Sequence, residues 1–92
     1  MDKLPLKLRV FEYLSQADHP VTTQEVMDAI KDEYAGERQM NYHRMDDYMQ
    51  ALLGVNMIRE ANVEYNEKGE LQVHYEVTDF GKSRIKYIPK KH

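Results

Sequence analysis

Apolar residues at Leu4, Leu8, Phe11, Leu14 and Ala17 recur at spacings of three and four, which predicts a first helix over residues 4–17 with Pro5 in its first turn. His19-Pro20 ends it, because the residue before a proline is driven out of helical geometry. Val21 then reads as a short extended residue. Thr22 and Thr23 offer an N-cap and Glu25 a first-turn carboxylate for a second helix, with Val26, Met27, Ile30 and Tyr34 turned inward and an end near Ala35 and Gly36. After a linker to Met40, Asn41 caps a third helix. At 100° per residue Met45, Tyr48, Met49 and Leu52 share one stripe, while His43, Asp47 and Gln50 lie opposite with Asp46 beside them.

Gly54 and Asn56 close that helix, and the period of the pattern changes from near four to two. Residues 57–65 and 71–77 alternate, with Ala61, Val63 and Tyr65 apolar in the first and Leu71, Val73, Tyr75 and Val77 in the second. Asn66 to Glu70 supply the turn between them, with Gly69 suited to a left-handed position, so the pair is a β-hairpin. Thr78 caps a last helix over residues 79–88 with Phe80, Ile85 and Ile88 as its apolar contacts, stopped by Pro89.

The chain is expected to form one domain over its 92 residues, ordered from about 4 to 88 with a short tail at 89–92. It has no cysteine, hence no disulfide, thiolate metal site or cysteine nucleophile, and no apolar run long enough to span a bilayer or act as a signal peptide. A soluble cytoplasmic protein is the expectation. His19, His43, His74 and His92 lack a ligand spacing, so neither a metal nor a cofactor is expected. The chain lacks a glycine-rich phosphate loop and a serine elbow, and Asp46 and Asp47 point 100° apart on a helix, so an enzyme is not expected.

Charge is segregated. The net charge is −3, yet residues 1–11 balance to +2, residues 12–79 carry five basic against fifteen acidic side chains, and residues 80–92 carry five basic ones and no acid. Basic ends on an acidic middle restrict where a polyanion can touch the molecule.

The order helix, short strand, helix, helix, two-stranded hairpin, helix resembles a winged helix-turn-helix domain: an α+β fold with a three-helix core, a hairpin wing and a short C-terminal helix. Two passages carry the resemblance. The run from Tyr48 to Ile58 is similar to a recognition helix passing through a turn into the first wing strand. The run Tyr75-Glu76-Val77-Thr78-Asp79-Phe80-Gly81 is similar to the Y-x-[LI]-T-x-x-G passage of PadR-like and MarR-like bacterial regulators, with Val77 where that pattern has Leu or Ile.

The resemblance implies a DNA-binding transcriptional regulator, its third helix in the major groove of double-stranded DNA and its wing on a neighbouring groove or the backbone. Carried onto this chain, the reading residues are Asn41, Tyr42, His43, Arg44 and Gln50, with Asp46 and Asp47 on the same face; Arg38 and Gln39 reach phosphates from the loop and Lys68 does so from the wing tip. Asn and Gln can pair with adenine and Arg with guanine. A homodimer through the first and last helices is also implied. The acidic balance of residues 12–79 supports an alternative, a protein-interaction module that docks a basic partner or a second copy of the domain on its acidic third helix and wing, with Asp46, Asp47, Glu64, Glu67 and Glu70, without binding DNA.

Overall fold

Three of the helices begin where a side chain takes up a free backbone amide. A computed structural model describes residues 5–38 and 40–85. In it, Thr22 Oγ1 accepts from the Glu25 amide at 3.1 Å and Glu25 Oε1 accepts from the Thr22 amide at 2.9 Å, a reciprocal capping box opening α2 (Thr23–Ile30). Asn41 Oδ1 accepts from the Arg44 amide at 2.9 Å at the start of α3 (Tyr42–Gly54). Thr78 Oγ1 accepts from the Gly81 amide at 2.9 Å at the start of α4 (Asp79–Arg84). Helix α1 (Leu6–Gln16) has no side-chain cap; Pro5 occupies the N-cap position rather than the first turn.

The inward face of α1 is Leu6, Val10, Phe11 and Leu14; of the stripe expected from spacing, Phe11 and Leu14 are buried and Ala17 packs against the core, but Leu8 lies in solvent, its place taken by Leu6 and Val10, and Leu4 falls outside the described residues. Helix α2 stops at Ile30, and a 3-10 turn over Lys31–Tyr34 tightens the chain enough to bury Tyr34 beside Val26 and Ile30. Met45, Met49 and Leu52 of α3 complete the helical part of the core. Burying each such side chain is worth about 1.5–3 kcal/mol. At the C-terminal end of α3, Gly54 remains helical and Asn56 takes the left-handed backbone, with φ 63°.

Strands β1 (Ile58–Tyr65) and β2 (Leu71–Val77) pair antiparallel from Ile58 opposite Val77 to Tyr65 opposite Leu71. Glu60 faces Tyr75 and Asn62 faces His74, so Ala61 is an extra residue with no partner. This bulge resets the alternation: Ile58 and Glu60 below it share a face with Val63 and Tyr65 above it. Only Ile58 of β1 is buried, so Ala61, Val63 and Tyr65 do not serve as the core residues their spacing predicted. Gly69, at φ 78°, closes the hairpin turn, which Asn66 Oδ1 braces by accepting from the Lys68 and Glu70 amides, each at 2.9 Å. On the opposite edge of β2, Val21 exchanges both backbone bonds with Tyr75, at 2.8 and 2.9 Å, as a strand of a single residue.

Two further features hold these pieces together. Arg9 forks onto Glu33, Nε to Oε1 at 2.8 Å and Nη2 to Oε2 at 3.0 Å, tying α1 to the 3-10 turn. The Thr78 amide donates to the Met57 carbonyl at 3.0 Å, and that carbonyl sits so close to Gly81 that a Cβ there would overlap its oxygen. The Y-x-x-T-x-x-G passage is thus a core tyrosine, a helix cap and a glycine forced by close approach. Phe80, expected inside, is exposed, because α4 is short and turns Gly81 and Ile85 toward the body; Ile88 and Pro89 lie outside the described residues. No helix among the described residues is long and apolar enough to cross a membrane.

Candidate nucleic-acid interface

The N-terminal turn of α3 projects from a short, braced loop. Gly36, at φ 84°, reverses the chain after the 3-10 turn; the Glu37 amide donates to Tyr34 O at 2.9 Å and the Met40 amide to Glu37 O at 3.1 Å. Asn41 then uses both ends of its amide on the backbone, Oδ1 on the Arg44 amide and Nδ2 on the Arg38 carbonyl at 2.9 Å. Asn41 is therefore a clamp that positions Arg38 and the start of α3, and freeing it to contact a base costs about 1 kcal/mol of capping. Tyr42, His43 and Arg44 follow it, all exposed, on a first turn that holds no acidic residue. Arg38 is exposed beside them, while Gln39 lies outside the described residues.

The rest of the polar face is less free than its sequence pattern implied. Asp46 is half-buried and accepts from Thr23 Oγ1 at 3.1 Å, which draws its carboxylate toward α2. Gln50 Nε2 donates to the Tyr75 hydroxyl at 3.1 Å, joining α3 to β2. Burial pushes the Tyr75 hydroxyl above its ordinary pKa, the Asp46 charge adds to the rise, and the Gln50 donor opposes it. Asp47 stays outside, 3.6 Å from His43 Nε2 across one turn. Thr23 and Tyr75 had no mark as site residues, because each acts on a side chain more than twenty positions away.

Between α3 and the wing lies a cleft of about 480 Å³, bounded by Thr23, Tyr42, Asp46 and Gln50 on one side and Glu70 and Leu71 on the other. Among the described residues no basic side chain lines it. The wing carries Lys68 at its turn among Glu64, Glu67 and Glu70, all exposed, and its inner face leaves Val63, Tyr65 and Leu71 uncovered, Tyr65 at 74% exposure. Among the described residues, Arg38 and Arg44 are exposed at the start of α3 and Lys68 at the wing turn, and none of the three lines the cleft. Among the described residues no three His, Asp or Glu side chains come together to hold a metal.

No protein-family model and no curated protein matches the sequence. Solved structures do match. The fold superposes on a PadR-like transcription factor from Bacteroides fragilis with a TM-score of 0.67 and 13% identity, over 89% of this chain and 74% of that one. It superposes on Bacillus subtilis PadR in complex with operator DNA with a TM-score of 0.73 and 14% identity, over 97% of this chain and 52% of that one, so this chain spans about half the length of that protein. The architecture is therefore an α+β winged helix-turn-helix fold of the kind found in PadR-like transcription factors.

Proposed function

We propose that this chain is a DNA-binding transcriptional regulator that reads a duplex with the N-terminal turns of α3 in the major groove and touches the adjacent backbone with the wing. The observation that carries the reading is the shared fold with B. subtilis PadR, which was crystallised in complex with operator DNA. Local chemistry supports it at one end of α3. The free amides of a helix N-terminus favour anions, the first turn holds no carboxylate, and Arg38 and Arg44 flank it. Tyr42, His43 and Arg44 are the base-facing candidates; Gln50 reaches a base only by leaving Tyr75, and Asn41 acts through its cap. Because Asp47 follows one turn later and glutamates crowd the wing, the helix enters end-on rather than along its length.

Three phosphate-facing cations, Arg38, Arg44 and Lys68, give a slope of log affinity against log salt of about −3 per chain, doubled in a homodimer. Selection of genomic fragments at low salt, followed by salt titration of a retained duplex, tests this. Arg44→Ala lowers the slope by about 1. Failure to retain any duplex at low salt removes the proposal.

A second reading, a module that docks a basic protein on its acidic face without DNA, draws on the exposure of Asp47, Glu64, Glu67 and Glu70. Asp46, held by Thr23, contributes less to it than the sequence pattern implied. Asp47→Lys separates the two: it tightens duplex binding on the first reading and abolishes partner binding on the second.

A further inference from the structure

The cleft between α3 and the wing is unevenly stocked with hydrogen-bond donors and acceptors. Four of its side-chain donors are spent within the protein: Thr23 Oγ1 donates to Asp46 Oδ1 at 3.1 Å, Gln24 Nε2 to Asp28 Oδ1 at 3.0 Å, Gln50 Nε2 to the Tyr75 hydroxyl at 3.1 Å and Asn66 Nδ2 to Glu70 Oε1 at 2.9 Å. Its carboxylates keep acceptors in hand. Asp46 Oδ2 and Glu70 Oε2 take no hydrogen bond from the described residues. Asp46 is half-buried, so its second oxygen has given up part of its water without gaining a partner. Two of the large hydrophobic side chains left exposed, Tyr42 on α3 and Leu71 on β2, stand on opposite sides of the same cleft.

We propose that this cleft binds a small organic cation, an amine or guanidinium carried on an apolar body. Its N–H groups bond to the Asp46 and Glu70 carboxylates, and its body lies against Tyr42 and Leu71. A volume of about 480 Å³ is that of a pocket for a metabolite-sized molecule. An anion fits poorly, because it meets two carboxylates and no cation among the described residues. The start of α2 at the edge of the cleft does not reverse this, since its capping box sets the Glu25 carboxylate on that first turn. A bare metal ion is short of ligands, as no three His, Asp or Glu side chains come together among the described residues. A basic protein surface would also meet the exposed Asp47, Glu64 and Glu67, none of which lines the cleft. The inference concerns the space between the two elements that the proposed function sets on a duplex; it does not rest on that function and is tested without nucleic acid.

The test is an amide chemical-shift titration of the full chain with three probes of one shape and different charge: 2-phenylethylamine, 2-phenylethanol and phenylacetate. The amine alone gives saturable shifts, in the millimolar range, centred on the amides of Thr23, Asp46 and Leu71. Asp46→Asn, which keeps an oxygen for Thr23, and Glu70→Gln each weaken its binding about three- to tenfold. Circular dichroism checks that both variants fold, and Glu70→Gln, at an exposed position beside the hairpin turn, decides the matter alone if Asp46→Asn does not. Binding of the alcohol or of phenylacetate as strong as that of the amine overturns the proposal. So do amine shifts centred on Asp47, Glu64 and Glu67, an affinity unchanged in Glu70→Gln, or shifts that do not saturate by about 20 mM.

Discussion

Replacing Gly81 by Ala tests how α4 is seated. In an isolated helix the change is favourable by about 0.8–1.0 kcal/mol, because glycine loses more backbone entropy than alanine. Here the added methyl would overlap the Met57 carbonyl oxygen and lie 2.9 Å from Val77 Cγ1 and 3.0 Å from the Met57 carbonyl carbon. The obstacle is backbone and cannot swing aside like the end of a lysine. To make room α4 must lift, which strains the bonds that seat it: the Thr78 amide on Met57 O at 3.0 Å and Thr78 Oγ1 on Asn56 O at 2.6 Å. Overpacking costs about 1–3 kcal/mol and weakening two neutral hydrogen bonds about 1–2 more, so after the helical gain the net loss is about 1–4 kcal/mol. With a urea m-value of about 1 kcal/mol/M for a chain of this size, the unfolding midpoint falls by about 1–4 M. Gly54→Ala is the control: it too is helical, but its added methyl meets nothing within 4 Å, and the midpoint holds or rises. If Gly81→Ala unfolds at the parent concentration or above, the account of α4 seated on the Met57 carbonyl is wrong.

Arg9→Met removes the two-pronged contact with Glu33, whose hydrogen bond is the main reason the Arg9 pKa is raised; a loss of about 1–2 kcal/mol follows, visible as a lower Tm. Arg9→Lys recovers only part of it, since an ammonium lacks the planar fork. A double-mutant cycle of Gln50→Ala and Tyr75→Phe gives a coupling of about 1 kcal/mol from the single bond joining α3 to β2; additive losses contradict that link. Burial raises the hydroxyl pKa of both Tyr34 and Tyr75, so the native state holds these protons more tightly than the unfolded chain does. Their stabilisation is complete below the unfolded value of about 10 and is lost as pH rises through the native values; urea midpoints therefore fall above about pH 10, and less steeply with both residues changed to Phe.

The elements were legible where local chemistry decides them. Thr22 with Glu25, Asn41 and Thr78 each start a helix through a bond to an amide three residues on, and Asn66 to Gly69 close the hairpin within a few positions. Even the single extended residue Val21 was readable, since Pro20 and the Thr22 cap leave it no helical alternative. What failed was phase. The first helix offers two apolar stripes at helical spacing, and only docking on Val26, Met45 and Met49 selects Leu6 and Val10 over Leu8. In β1 the pattern Ala61, Val63, Tyr65 reads as an unbroken alternation, yet Ile58 lies in the opposite parity. A bulge at Ala61 reconciles the two, and a bulge has no signature in hydrophobicity alone.

The candidate interface was legible as a place but not as a set of free side chains, and the difference is one of range. Asn41 was recognisable as a cap; that its other amide group holds the Arg38 carbonyl follows from how the loop after Gly36 closes. Asp46 and Gln50 were assigned to the outer face by angle alone, but a 100° wheel does not show that Thr23 and Tyr75 stand within hydrogen-bond reach of them. Those two bonds remove one carboxylate from the approach to a phosphate and commit one amide to the wing. The remaining outward groups sort by position along α3, with Arg38, Tyr42, His43 and Arg44 at its start and Asp47 a turn later. That gradient favours a polyanion at the N-terminal end and disfavours one lying along the helix. The acidic balance of residues 12–79 therefore bears on the angle of approach to a duplex as much as on whether one is bound.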